Sequence, residues 1–214
     1  MEKTMILQRL LEFGIEKGFF VVKPVGMVEK TCCEYSTVLV IDFDYTKEKV
    51  ARGVGLQEPK SCDLLVIIPE KNRIDFIEMK SIRNMIDRID KGKEPTDEEI
   101  TKNIARFDFG AKLHGSFFIV DLIMNMRDFK LMREERKEYL EVEKNYFILV
   151  DIDPKLNPVE SLALSLRYAA EESIEIRAIK AMTKNLEDTV LINSVNKPQL
   201  ICCNNLDDLY GNAL

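Results

Sequence analysis

The sequence lacks several features on which whole classes of protein depend. It contains no tryptophan and a single histidine, and it has no CxxC or Cys/His spacing typical of a zinc site. Its N-terminus, MEKTMILQRLLEFG, lacks the cationic lead and long apolar stretch of a signal peptide, and no apolar run approaches the length of a membrane span. We therefore expect a cytoplasmic protein without membrane association.

An excess of positive charge is also missing. The formal net charge of -6 at pH 7 argues against a protein that coats nucleic acid by bulk attraction. A local basic groove stays compatible with this charge, because affinity for phosphate depends on where the lysine and arginine side chains lie. With 46% hydrophobic residues, a chain of 214 residues can bury the core of one domain, or of one domain with an elaboration.

Cysteines are few and occur as Cys32-Cys33, Cys62 and Cys202-Cys203. Because adjacent cysteines rarely bridge to each other, the pattern predicts reduced thiols rather than disulfides. Their expected role is that of small apolar residues in the core.

The order of hydrophobic patterns predicts a mixed α/β fold along the whole chain. Helices are predicted over 2–17, 94–111, 127–144 and 157–172, with a capping box of Thr96 and Glu99 in the second and Pro158 in the first turn of the last. Residues 46–60 are predicted to form a connecting loop. Besides a hairpin over 61–81, strands are predicted at FFVVKPVG, STVLVIDFDY, SFFIVDLIM, YFILVDID, IEIRAIKAM, TVLINSV and QLICC.

The predicted hairpin, SCDLLVIIPEKNRIDFIEMKS, carries charges at one end of two apolar runs. Its polar break suits a turn centred on Lys71, which would place Asp63 opposite Met79 and between Glu78 and Lys80. A register that differs by one residue is also compatible with the pattern. Alternation along a strand places Glu78 and Lys80 on the same face, so the three charges should converge.

Two carboxylates this close repel each other unless a cation lies between them. Oxygen ligands in a partly hydrated site suit Mg²⁺, with Mn²⁺ as a possible substitute, and the backbone carbonyl of Met79 could add a ligand to Asp63 and Glu78. Lys80 could orient or deprotonate a water, or stabilise a pentacovalent phosphate. The pattern thus predicts a phosphodiesterase site, and a salt bridge at a strand end is the alternative.

The acid-x-Lys pattern alone is weak evidence, because it recurs at 58–60, 128–130, 135–137 and 153–155. The first recurrence lies in a predicted loop and the next two on a charged helix. Asp153-Pro-Lys155 is the serious rival, because it follows the apolar run YFILVD and its Asp151. It lacks a hairpin partner that would bring an acid to the same place.

CDLLVIIPEKNRIDFIEMKS resembles the core of the PD-(D/E)xK nuclease superfamily, which has the restriction-endonuclease-like fold. A helix followed by GFFVVKPVG, then IEMKS, then a helix ending FDFGAK before an apolar strand, is similar to archaeal Holliday junction resolvases and RecB-like nucleases. The resemblance covers about residues 5–124, with an insertion near 27–60 and a C-terminal α/β elaboration over 125–214. It implies a single nuclease domain with a mixed central β-sheet flanked by helices.

The resemblance also implies roles for individual residues. Asp63 and Glu78 would be metal ligands, Lys80 the catalytic lysine and Ser81 a supporting polar neighbour. Other candidates are Lys102 and Arg106, where related nucleases place a polar residue, and Glu12 and Glu34 as extra ligands. His114, predicted between a helix and a strand, could meet a phosphate or have a structural role.

Together these features predict a magnesium-dependent DNA endonuclease that is resolvase-like or RecB-like. The resemblance implies a homodimer acting on duplex, branched or single-stranded DNA. Leu7 or Gln8 stands where resolvases carry a glutamate on the first helix, so a decayed nuclease fold that binds nucleic acid or serves a structural role is the alternative. A hydrolase of small phosphoesters or RNA is a third possibility.

Overall fold

A mixed β-sheet forms the centre of the computed structural model, which describes residues 6–90, 92–152, 173–189 and 195–211. In this part of the chain the sheet has six strands, in the order in which they occur in the sequence. They are β1 Val22–Pro24, β2 Leu39–Asp42, β3 Leu64–Ile68, β4 Arg73–Lys80, β5 Glu143–Val150 and β6 Gln199–Cys202. Neighbouring strands from β1 to β4 are antiparallel, whereas β5 pairs in parallel with β4 and β6 pairs in parallel with β5. The predicted α/β class with a mixed sheet is confirmed.

Helices connect and flank the strands. They are α1 Ile6–Glu16, α2 Phe43–Val54, α3 Ile82–Ile89, α4 Asp97–Ala105, α5 Phe109–Met124, α6 Arg133–Leu140, α7 Ile174–Asp188 and α8 Leu206–Tyr210. None of the helices in the described ranges combines the length and apolar character that a membrane crossing requires.

The sheet separates two apolar layers. Leu65 and Ile67 of β3 face a large core that includes residues of α1, α5 and α7. Leu64, Val66 and Ile68 face a smaller core, closed by residues near Val25 and by α8. Because all five residues of β3 are buried, the strand is continuously apolar rather than alternating.

Several predicted elements are confirmed. Helix α1 lies within the predicted range 2–17, and β3 and β4 form the predicted hairpin. Helix α4 begins at the predicted capping box, in which Glu99 N donates to Thr96 Oγ1 (3.3 Å) and Thr96 N donates to Glu99 Oε2 (2.9 Å). Strands β5 and β6 occur where YFILVDID and QLICC predicted them.

The predicted loop over 46–60 is wrong, because much of it belongs to α2. Asp42 caps this helix by accepting a hydrogen bond from Tyr45 N (3.1 Å), and Gly55 ends it with φ 68°. The helix start therefore lies inside the segment predicted as a strand over 36–45. The range 27–60, predicted as an insertion, contributes both β2 and α2.

SFFIVDLIM and IEIRAIKAM are helical, in α5 and α7, rather than strands. Helix α5 is buried on much of its circumference, so its sequence gives the continuous apolar run that a buried strand would also give. FDFGAK therefore leads into a helix and does not precede an apolar strand. In α7 the buried residues recur at helical spacing: Ala178, Ile179, Met182 and Leu186.

Only Arg133–Leu140 of the charged range 127–144 is helical, and residues from Glu143 onward belong to β5. The helix predicted over 157–172 and most of the strand predicted over 189–195 lie outside the described residues.

The prediction of reduced thiols is wrong for one pair, because Cys33 and Cys203 form a disulfide. These cysteines are 170 residues apart, and they meet because the segment between β1 and β2 packs in the smaller core, on the face of the sheet where the end of β6 also lies. This proximity comes from tertiary packing, so the spacing of adjacent cysteines gave no signal of it. Cys62 and Cys202 are buried free thiols, as predicted, and Cys32 is half-buried.

Helix α5 approaches the segment before β3 so closely that only glycine fits at position 115. A β-carbon there would lie 1.8 Å from the carbonyl oxygen of Lys60. We expect Gly115→Ala to lower the free energy of unfolding by about 1–3 kcal/mol, because backbone must move to admit the methyl group. Urea titration would measure this change.

Gly53→Ala in α2 is the matched control. Apart from its chain neighbours and the backbone of its own helix, no atom of the described chain lies within 4 Å of a β-carbon at this position. Alanine is expected to raise stability there by about 0.5–1 kcal/mol, because it reduces the backbone freedom of the unfolded chain. Equal effects at the two positions would contradict the close approach of α5.

Candidate active site

The hairpin of β3 and β4 brings Asp63 and Glu78 together. Leu64 pairs with Ile77 and Ile68 with Arg73, so the register continues to Asp63 beside Glu78. The predicted pairing of Asp63 with Met79 is therefore wrong by one residue. The 3₁₀ turn Pro69–Lys71 and the positive φ of 47° at Asn72 set this register.

Two backbone contacts fix Asp63 at the start of β3. Its N–H donates to the carbonyl of Ile77 (3.1 Å), and its Oδ2 accepts from the N–H of Met79 (2.7 Å). The carbonyl of Met79, predicted as a metal ligand, accepts a hydrogen bond from Lys80 Nζ (3.0 Å). Asp63 thus keeps Oδ1 directed toward the other charged groups.

Glu78 is fully buried although it is a carboxylate. Its Oε1 contacts the ammonium groups of Lys80 and of Lys112, the latter at 2.5 Å. Its Oε2 is buried with no hydrogen-bond partner among the described residues. Burial, and then the negative charge of Asp63, raise the pKa of Glu78 to about 7, although both lysines act in the opposite direction.

Lys112 was missing from the residues predicted from sequence. Its Nζ lies 3.7 Å from Asp63 Oδ1 as well as beside Glu78. Burial alone would lower its pKa, but the charges of Glu78 and Asp63 outweigh burial and raise it, so the ammonium stays charged. Lys112 therefore lies between the two acids as an internal cation.

Lys112 was missed because SFFIVDLIM was predicted as a strand, which placed residue 112 at the very end of the preceding helix. In α5, Lys112 and Ser116 are one turn apart, and Ser116 Oγ accepts from the N–H of Cys62 (2.8 Å), next to Asp63. The available signal was the spacing of four residues between Lys112 and Ser116. The same spacing separates Leu113 and Phe117, so a helix would place both pairs on one face.

Lys80 completes the cluster and lies at the carboxyl end of β4. Its ammonium contacts Glu78 Oε1 and lies 5.2 Å from the centre of the Phe107 ring. Its side chain retains some exposure to solvent, whereas that of Glu78 has none. The three residues predicted to converge therefore do so. Of Lys80 and Glu78, Lys80 is the one that a ligand can reach from solvent.

Ser81, predicted as a supporting polar neighbour of the cluster, hydrogen-bonds to Asp151 and Asn84. Its Oγ donates to Asp151 Oδ2 (2.6 Å) and accepts from Asn84 N (3.0 Å), which caps α3. Asp151 Oδ1 also accepts from Ile82 N (2.8 Å), so the carboxylate of the rival site lies at a helix N-terminus. The rest of that site, Asp153 and Lys155, lies outside the described residues.

In the described chain, no hydrogen bond or ion pair joins the other candidate residues to the charged cluster. Lys102 is exposed on α4, and Arg106, also exposed, directly follows this helix and contacts Asn103 (3.4 Å). Glu12 is exposed on α1 and accepts a hydrogen bond from Gln8 (2.7 Å). Glu34 lines a groove beside Ser81 and Asp151. His114 is exposed on α5 rather than in a loop.

The donor atoms fit a small divalent cation. Asp63 Oδ1 and Glu78 Oε2 are carboxylate oxygens, the ligand type that Mg²⁺ prefers, and Mg²⁺ commonly takes one or two carboxylates and completes its shell with water. The unpartnered, buried Oε2 supports the fit, because a buried carboxylate oxygen normally has a donor or a metal.

Comparisons of the chain with protein-family models, with curated proteins and with solved structures find no match. The resemblance to PD-(D/E)xK nucleases therefore stays a hypothesis that depends on the hairpin residues and on the geometry of the site. Any function assigned to the chain must be argued from Asp63, Glu78, Lys80 and Lys112.

The raised pKa of Glu78 predicts a pH dependence of stability. The unfolded chain loses the proton of Glu78 near pH 4.5 and the folded chain near 7, so unfolding releases a proton between these values. The contribution of Glu78 to the free energy of unfolding should therefore fall by about 3 kcal/mol as the pH rises through this window.

Urea titrations with a chelator present would measure this effect as the difference between the parent and Glu78→Gln. Glutamine keeps the shape of the protonated acid and does not titrate. Subtraction of the variant removes the contributions of the other carboxylates. A difference that stays constant from pH 4.5 to 7 would show that Glu78 has an ordinary pKa.

Proposed function

We propose that the chain is a magnesium-dependent nuclease that hydrolyses phosphodiester bonds of DNA. The observation that carries the proposal is the convergence of Asp63, Glu78 and Lys80 at one end of the β3–β4 hairpin, with a buried oxygen of Glu78 left without a donor. Burying a charged group lowers the stability of a protein unless the group has a partner, and such groups are often found at functional sites. Coordination of a metal ion would give both acids a partner and a function.

Each residue has a separate role in this proposal. Asp63 Oδ1 and Glu78 Oε2 would hold Mg²⁺, while Met79 N–H keeps Asp63 in place through its other oxygen. When bound, the metal lowers the pKa of a coordinated water and offsets the charge that develops on phosphate oxygens. Lys80 Nζ orients the attacking water or stabilises the negative charge of the phosphate.

The proposed substrate class is DNA in duplex, branched or single-stranded form. The order of elements that supports a restriction-endonuclease-like domain is a helix, an antiparallel hairpin with the acids, a helix with Lys112, and β5 added in parallel to β4. Local basic groups at the site, Lys80 and Lys112, are compatible with a phosphate ligand despite the acidic chain.

A cleavage panel tests the proposal. Purified protein would be incubated with single-stranded, double-stranded, flap and four-way-junction DNA in Mg²⁺, Mn²⁺ or a chelator. The expected result is cleavage of at least one substrate that requires the metal and disappears in Asp63→Asn. Metal-independent cleavage, or cleavage retained by Asp63→Asn, would indicate a contaminating nuclease and contradict the proposal.

A second candidate, a decayed nuclease fold that binds nucleic acid, is favoured by the position of Lys112. Its ammonium lies 2.5 Å from Glu78 and 3.7 Å from Asp63, where it already offsets part of the charge that a metal would offset. This candidate predicts DNA binding with no cleavage in any metal. Magnesium titration followed by calorimetry separates the two, because only the nuclease requires the ion to bind.

The nuclease proposal includes a homodimer. Cutting both strands of a duplex or junction requires two sites, and two copies related by a two-fold axis are the commonest arrangement. Sedimentation velocity at micromolar concentration is expected to give the mass of a dimer. A monomer under these conditions, with cleavage retained, would contradict the association.

A further inference from the structure

Three sulfur atoms lie together at the end of β6, apart from the carboxylates of the proposed nuclease site. We call Cys32, Cys33 and Cys203 the sulfur cluster. Cys32 Sγ lies 3.7 Å from Cys33 Sγ and 3.5 Å from Cys203 Sγ, and all three atoms lie within 4.8 Å of one another. The Cys33–Cys203 pair is bonded in the structure.

These spacings are those of thiolates around a tetrahedral metal ion. With zinc–sulfur bonds of about 2.3 Å, two thiolates of a tetrahedral site lie about 3.8 Å apart. Both separations that involve Cys32 are close to this value. Only Cys33 and Cys203 would have to separate, and this requires reduction of their bond.

The sheet positions one member of the cluster. Cys203 directly follows β6, in which Ile201 and Cys202 pair with Leu149 and Val150 of β5. Cys32 Sγ lies 3.6 Å from the carbonyl oxygen of Leu149. Cys203 is therefore positioned by β6, and Cys32 lies beside β5 through a contact that does not involve the disulfide.

The surroundings favour a cation. The cluster lines a groove of about 690 Å³ whose charged side chains include Glu34, Asp151, Asp207 and Arg83. Three acids against one arginine give the groove a negative balance. Because Cys32 and Cys203 are only partly buried, an ion can reach the sulfur atoms from this groove.

We propose that the reduced chain binds a soft divalent cation of the zinc class through Cys32, Cys33 and Cys203. A dithiol reductant converts the Cys33–Cys203 bond into two thiols and becomes a cyclic disulfide itself. Zn²⁺ then displaces the protons of the cysteine thiols, which pass to water, and forms three metal–sulfur bonds. The fourth position faces the groove and takes water or a ligand.

The proposal concerns a site separate from Asp63, Glu78 and Lys80, so it stands or fails independently of the nuclease. The ion would join the segment before β2 to the end of β6, as the disulfide does in the oxidised chain. Bound zinc is therefore expected to raise the melting temperature of the reduced protein, because it binds the folded state preferentially.

The test uses the full chain, reduced with a dithiol and freed of excess reductant without oxygen. The expected result is one tightly bound Zn²⁺ per chain by elemental analysis, and thiolate-to-metal charge-transfer absorption when Co²⁺ replaces it. Cys32→Ser and Cys203→Ser should each lower the affinity for Zn²⁺ at least tenfold. Cys202→Ala, next in sequence but outside the cluster, should retain the parent affinity.

A second measurement uses the unaltered chain, in case a variant fails to fold. Zn²⁺ should protect Cys32, Cys33 and Cys203 from alkylation, as read by mass spectrometry of peptides, and leave the other cysteines unaffected. Absence of bound Zn²⁺ in the reduced parent would overturn the proposal. So would equal affinity in Cys203→Ser, or a Cys33–Cys203 bond that persists in the folded chain under reductant.

Discussion

Lys80→Ala is expected to lower the rate of metal-dependent DNA cleavage by about a hundredfold or more, the loss typical of one positioned electrostatic or proton-transfer group. The metal ligands Asp63 and Glu78 remain, so affinity for the metal should change little. The fold should also persist, because Lys112 still contacts Glu78 Oε1 at 2.5 Å after Lys80 is removed. Single-turnover cleavage and the melting temperature measure the two effects separately.

Two further variants make the result specific. Asp63→Ala should abolish metal-dependent cleavage by removing a ligand, which separates loss of the ion from loss of the lysine. Lys102→Ala removes an exposed lysine of α4 and should leave the cleavage rate at the parent value. Parent-rate cleavage by Lys80→Ala would move the catalytic site elsewhere, with Asp151, Asp153 and Lys155 as the next candidates.

If the cluster were only a salt bridge at a strand end, the same variants would behave differently. No cleavage would be present to lose, and Lys80→Ala would lower stability by weakening the compensation of two nearby acids. Lys112 limits that loss, since it contacts both acids. A double variant of Lys80 and Lys112 should then lose far more stability than the sum of the single variants.

Asp75→Ala is expected to lower the free energy of unfolding by about 3–5 kcal/mol, the cost of removing one partner from a buried charged pair. Asp75 is fully buried and its Oδ1 accepts from Arg73 Nε (2.8 Å) and Asn145 Nδ2 (2.8 Å). Its Oδ2 accepts from Arg73 Nη2 (2.5 Å) and Tyr210 Oη (2.7 Å). The carboxylate therefore joins β4, β5 and α8.

Arg73 stays charged when Asp75 is removed, because the ordinary pKa of a guanidinium already lies far above neutral pH, and the hydrogen bond to Asp75 only raises that pKa further. Alanine leaves this guanidinium and two polar side chains without their acceptor. Glu48→Ala is the control: it breaks an exposed ion pair with Arg52 in α2 and should cost less than about 1 kcal/mol. Similar urea midpoints for the two variants would contradict a structural role for the Asp75 network.

Local chemistry in the sequence was enough to predict some elements. Thr96 and Glu99 mark a helix start because their side chains bond backbone groups only three residues away. Pro69 and Asn72 mark the turn of the hairpin for a similarly local reason, and alternation then places Glu78 and Lys80 on one face. The convergence of Asp63, Glu78 and Lys80 follows from these short-range features.

Long apolar runs were not enough, because burial on several sides removes the periodicity that distinguishes a helix from a strand. SFFIVDLIM is buried on much of its circumference in α5, so its residues match a buried strand equally well. The error hid Lys112, whose role depends on helical spacing. Because the periodicity of this one segment was assigned to a strand rather than to a helix, Lys112 was missing from the predicted site.

By itself, then, the sequence determined the α/β class, the acid-bearing hairpin and the start of α4, since each depends on neighbours along the chain. Tertiary structure alone decided the contact of Lys112 with Glu78, across 34 residues, and the meeting of Cys33 with Cys203, across 170. The contact of Lys112 depends on the packing of α5 in the larger core, and that of Cys33 depends on the packing of the segment before β2 in the smaller core. Both packings are set by the summed burial of apolar residues from distant parts of the chain, which no short stretch of sequence encodes.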